Sequence, residues 1–86
     1  MNTEDLAKKA ADNYRDANYD EAKQCLLELL KQGVESAALY NQLGVISNKL
    51  QQYDEAANFY HQALKLESDN VLTLYNLSLN LYDQDK

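Results

Sequence analysis

Two carboxylate pairs, Asp20-Glu21 and Asp54-Glu55, have the strongest claim to chemistry, because neighbouring carboxylates can divide general-acid and general-base roles. Each pair follows a Tyr and opens a segment with helical apolar spacing, where negative charge meets the positive end of a helix dipole. They are read as helix-start residues. His61 and Cys25 are the only soft metal ligands, and neither has a second ligand three or four residues away, so the spacing of a zinc site is missing. Cys25 is read as a small packing residue and His61 as an exposed one. Asp16, Asn18 and Asp20 match the first three ligand places of a calcium loop. Glu21 stands where that loop turns on Gly, however, and Leu27 where a Glu closes it. Asn76-Leu77-Ser78 is formally a glycosylation sequon, but it falls inside a predicted helix. With two glycines and one histidine, neither a Gly-rich phosphate loop nor a Ser-His-Asp arrangement can be assembled. The expectation is a non-enzymatic chain with no metal and no cofactor.

The chain has 86 residues, the size of one small domain, and a net charge of −6. An acidic chain lacks the positive field that phosphate backbones demand, so nucleic acid is not an expected partner. One cysteine cannot form an internal disulfide, which favours a reducing compartment. The N-terminus is polar and no run approaches the 18 apolar residues of a membrane span. These features predict a soluble, unprocessed, cytoplasmic protein that does not engage membranes.

The elements that must position any binding residue are set by a repeat. Tyr-Asp-Glu-Ala occurs at Tyr19–Ala22 and again at Tyr53–Ala56, an offset of 34 residues that also carries Leu30-Lys31 onto Leu64-Lys65. One further shift carries Leu43-Gly44 onto Leu77-Ser78. Residues 3–36 and 37–70 are two full units, and residues 71–86 open a third, within one domain spanning 1–86. Inside the unit, Tyr40, Leu43, Gly44 and Ser47 recur at i, i+3, i+4, i+7, and Ala56, Tyr60, Ala63 and Leu64 recur similarly after a turn. Thr3, Ser36 and Asp69 or Asn70 are candidate N-caps and Gly33 a helix terminator. The prediction is an all-α fold of five helices at about 3–16, 19–32, 37–50, 54–66 and 70–83, paired as antiparallel hairpins.

A 34-residue helical hairpin with this pattern resembles the tetratricopeptide repeat family. The second unit carries the resemblance best: Tyr40, Leu43, Gly44, Ala56, Tyr60 and Ala63 occupy signature places, while Ser47 replaces a Tyr and Ser68 a Pro. The first unit keeps Leu6, Ala10, Ala22, Leu26 and Leu29 but has Lys9 and Val34 at two departures, and the third keeps Leu74, Leu77, Ser78 and Leu81. The resemblance implies a solenoid of about two and a half repeats whose first helices line a concave groove for a peptide or partner helix.

Carried over by position, that groove would take Glu4, Ala7, Ala11, Tyr14 and Arg15 from the first unit. The second would supply Ala38, Asn41, Val45, Asn48 and Lys49, and the third Leu72, Tyr75, Leu79 and Tyr82. Asn41 and Asn48 stand out, because an amide can bond both the N–H and the C=O of an extended backbone; equally, they can be plain solvated residues. The family's clamp for acidic chaperone tails relies on Lys and Arg, and the matching places here hold Ala7, Ala11, Gln42, Leu72 and Asn76. A carboxylate there would be desolvated without compensation, so that ligand is not expected.

The last helix is predicted to turn Leu74, Leu77 and Leu81 inward and to bare a second apolar face, Leu72, Tyr75, Leu79 and Tyr82. Such a face suits either a second copy or an amphipathic partner helix. The leading reading is thus a protein-interaction module and scaffold. Its rivals are a self-associating fragment and a regulatory segment of a longer enzyme or secretion apparatus.

Overall fold

A computed structural model describes residues 2–84 of the chain. Among these residues there are five α-helices and no strand: α1 (Thr3–Arg15), α2 (Tyr19–Lys31), α3 (Ala37–Lys49), α4 (Tyr53–Leu66) and α5 (Val71–Gln84). Each boundary falls within one residue of the predicted one.

Short polar side chains cap α1, α3 and α5, whereas α2 and α4 start without a side-chain cap bond. Ser36 Oγ accepts the Leu39 N–H at 3.1 Å and Asn70 Oδ1 accepts the Thr73 N–H at 3.0 Å. At the first helix the cap is Asn2 rather than Thr3, its Oδ1 accepting the Asp5 N–H at 2.8 Å, because Thr3 is already helical. Three helices end in one left-handed residue: Ala17 (φ 63°), Gly33 (φ 92°) and Gln51 (φ 62°). After α2, Gly33 N–H reaches Leu30 C=O at 2.9 Å and Val34 N–H reaches Leu29 C=O at 3.0 Å, the paired closure of a Schellman turn. The same pair of bonds recurs at Ala17 and Gln51, one repeat length apart, so the turn inside each hairpin is copied even where glycine is not.

The chain divides into two compact units, one ending at Glu35 and the other beginning at Ser36. In the first, α1 packs on α2 and the buried residues are Leu6, Ala10, Ala22, Lys23, Cys25, Leu26 and Leu29. Tyr14 meets Tyr19 edge to face at 5.7 Å across the turn. Arg15 pairs with Asp12 at 3.4 Å and Asp16 at 3.7 Å, exposed contacts that add little stability.

In the second unit α3 packs on α4, and α5 lies mainly on α4 with a smaller contact to α3. Leu43, Ala56, Tyr60 and Ala63 are buried at its centre, and the Tyr40 and Phe59 rings stack with centroids 6.5 Å apart. Gly44 lets the Tyr60 ring rest on the α3 backbone: an added Cβ would lie 2.7 Å from Tyr60 Cδ1 and nearer still to Cε1.

The packing of α5 departs from the prediction. Leu74 and Leu81 are 46% and 55% exposed and Leu77 is half-buried, whereas Thr73 and Asn80 are 0% exposed. The helix docks through the stripe Thr73–Leu77–Asn80, turned from the all-leucine stripe by about one side-chain position. Asn80 can hold that place because its amide is matched, whereas the Thr73 hydroxyl is buried with no hydrogen-bond partner among the described residues.

Candidate partner-binding cleft

Asn80 is the hinge pin of the second unit. From the inner face of α5 its Nδ2 donates to Asn48 Oδ1 on α3 at 2.7 Å and to the Tyr53 carbonyl at the start of α4 at 3.0 Å. Its Oδ1 accepts from Gln84 Nε2 at 2.7 Å. Three helices are tied through one amide, and in a buried site those bonds offset the cost of desolvating it.

Beside this knot the three helices leave an open cleft of about 230 Å³. Val45, Asn48 and Lys49 line it from α3, Tyr60 from α4, and Asn76, Leu79 and Asp83 from α5. The α5 contribution follows from helix geometry, since residues 76, 79 and 83 are spaced i, i+3, i+7 and share a face. Its chemistry is mixed: apolar surface from Val45, Leu79 and the Tyr60 ring, one cation at Lys49, one anion at Asp83, and two amides. With its oxygen engaged by Asn80, Asn48 keeps its N–H donors for another acceptor.

Of the residues assigned to a groove from sequence, Val45, Asn48, Lys49 and Leu79 come together here. Asn41 does not: it is 6% exposed and its Oδ1 is buried with no hydrogen-bond partner among the described residues, so its amide is not offered to solvent. Leu72, Tyr75 and Tyr82 are exposed on α5 outside the cleft lining. Tyr14 and Arg15 belong to the first unit, where Glu4, Ala7 and Ala11 are also exposed. Asp83 escaped the sequence reading and Asn76 entered it only as a place of the family's clamp and in a sequon, although their spacing about Leu79 carried the signal. Asn80 left a weaker trace, a polar residue seven after Thr73 in an otherwise apolar helix.

Comparison with known proteins bears on the α3–α4 hairpin. Residues 37–70 match the family described as Tetratricopeptide repeat, covering both helices and the turn that seats Tyr60 on Gly44. The chain carries a tetratricopeptide repeat. The repeat's 34-residue length equals the internal offset, and the five-helix, strand-free fold of the described residues agrees with an array of such hairpins. The chain is also 36% identical over 77 residues to a Pyropia yezoensis protein named "Uncharacterized protein ycf37". The match covers 90% of this chain and 37% of that protein, so the chain spans well under half of the relative's length. No helix among the described residues is long and apolar enough to cross a membrane.

Proposed function

We propose that the chain is a non-enzymatic protein-interaction module that takes an extended segment or helix of a partner protein in the cleft between α3 and α5. The observation carrying this reading is the cleft itself, with apolar walls from Val45 and Leu79 beside amides at Asn48 and Asn76. The lining sets two amides and one charge of each sign beside apolar side chains, groups that can fix the orientation of an occupant. A tetratricopeptide repeat supports a protein partner, and extended backbones are recognised by amides placed beside side-chain pockets. Within the second unit, Leu72, Tyr75 and Tyr82 on α5 offer further exposed contact surface in this proposal, and Tyr14 and Arg15 offer such surface on the first unit, taken by itself.

With Lys49 and Asp83 the only charged residues lining the cleft, affinity should depend weakly on salt. The test uses peptides selected against the chain from a random library, followed by amide chemical-shift mapping. Shifts should concentrate at Val45, Asn48, Lys49, Asn76, Leu79 and Asp83, and Leu79→Asp should weaken binding at least about tenfold, roughly 1.4 kcal/mol. Peptides that leave these amides unmoved, or whose affinity collapses in high salt, would show that the cleft is not the site.

A further inference from the structure

We propose that Asn80 is the positioning residue of the cleft: by holding the Asn48 oxygen it turns the Asn48 N–H groups toward the occupant, so that the cleft selects an extended segment presenting a backbone carbonyl to α3. This inference rests on the cleft reading above and names the partner surface the cleft takes. One group in the network cannot be turned round. The Tyr53 carbonyl is backbone and only accepts, so the end of the Asn80 amide that meets it at 3.0 Å must be Nδ2. Asn80 is 0% exposed and out of reach of bulk water, so the second hydrogen on that nitrogen needs a protein acceptor, and it finds Asn48 Oδ1 at 2.7 Å. The other end of the Asn80 amide is then an oxygen, and Gln84 Nε2 donates to it at 2.7 Å. Turning Asn48 over would set N–H against N–H and leave a buried donor unpaired. A main-chain carbonyl thus fixes one side-chain amide, and that amide fixes the next.

Asn48 is half-buried on the cleft wall, so the polar groups that α3 offers to an occupant are donors, the Asn48 N–H groups and the Lys49 ammonium. The acceptor-only side chain of the lining, Asp83, stands on α5. In a planar trans peptide unit the C=O and N–H point opposite ways, so one unit can turn its oxygen to α3 and its N–H toward α5. Carbonyls inside a helix are already bonded to N–H groups of their own chain, and this makes the extended segment the occupant. A carboxylate is a poorer match than a carbonyl: Lys49 is answered by Asp83 in the same lining, which leaves no excess positive charge to offset the cost of desolvating an anion.

The orientation can be read without a ligand. In proton-exchange NMR of the intact chain, the Asn80 side-chain N–H groups, both of them bonded, should exchange with water at least about tenfold more slowly than those of Asn48. The reverse order overturns the proposal. Peptides of uncharged residues, selected against the intact chain from a random library, then serve as binding probes, each remade with one backbone C=O at a time changed to C=S, a weaker acceptor. One position should lose about fivefold in affinity, the worth of a neutral hydrogen bond, and that loss should vanish in Asn48→Ala. In Asn80→Ala, which frees the Asn48 amide to turn, the same loss should shrink to under about twofold, while Leu79→Asp added to that variant still weakens binding. Should Asn80→Ala lose its helix by circular dichroism, Asn48→Asp takes its place: it keeps one oxygen for Asn80, sets the other into the cleft, and should weaken the peptides at least about tenfold with helix content unchanged. Acetate in large excess should not displace the peptides; displacement would make a carboxylate the occupant and overturn the carbonyl assignment. Peptides indifferent to Leu79→Asp do not occupy the cleft, which removes the cleft reading and this one together. Peptides that need Leu79 yet show no sensitive carbonyl, or one whose sensitivity survives Asn48→Ala, overturn this inference alone.

Discussion

Gly44 and Tyr60 show how one atom decides a packing site. Exchanging Gly for Ala inside a helix ordinarily gains about 1 kcal/mol from backbone entropy. Here the new methyl would run into the Tyr60 ring, which is 1% exposed and would have to leave its present packing. Gly44→Ala is therefore expected to destabilise the fold by about 1–3 kcal/mol, the usual cost of overpacking, despite better helix propensity. A denaturant titration reads this directly, and an unchanged or raised midpoint would mean that Tyr60 yields. This contact was legible beforehand, since a glycine on the apolar face of a helix has few reasons to be there except close approach. Asn41 was not legible. Its spacing placed it with Asn48, and nothing in a single sequence shows that one of two similar amides is buried with its oxygen unpartnered while the other borders a cleft.

Helix α5 carries the lesson at the scale of elements. Its length and start were readable from Asn70 and the apolar run, yet its orientation was misjudged, because its leucines fall on more than one face and hydrophobic period alone could not choose among faces. Hydrogen bonding chose: only the face with Asn80 can satisfy the Tyr53 carbonyl and Asn48 Oδ1 at once. Both of those partners are acceptors, so Asn80→Asp sets a carboxylate against two oxygens. Folding would then raise the new carboxyl's pKa above its ordinary value near 4. The variant should approach the parent's stability below about pH 4, where the acid is protonated and can donate, and lose it as pH rises through the folded-state pKa. Comparing the two unfolding curves at several pH values checks the sign. A penalty that does not grow with pH would show that Asn80 faces water or donors instead.

For the whole molecule, the division at Glu35 separates the chain into a hairpin of two 13-residue helices and a three-helix unit that holds Leu43, Ala56, Tyr60, Ala63 and the Asn80 knot. Helices of that length are marginal in water on their own, and chains under about 40 residues seldom bury enough surface to fold without a disulfide or metal. In repeat arrays stability is a sum of weak units and the interfaces between them, so unequal units need not be equally autonomous. The second unit has both a third helix and a buried hydrogen-bond network to offset its chain entropy, whereas the first has one buried layer and exposed ion pairs around Arg15. A peptide of residues 36–86 is accordingly expected to keep most of its helix and to melt cooperatively, while a peptide of residues 1–35 should show little helix and a broad, non-cooperative melt. Circular dichroism of the two peptides decides the matter. Equal helicity and equally sharp melts would mean that the α1–α2 hairpin holds itself together, and that the internal repeat is a repeat of stability as well as of sequence.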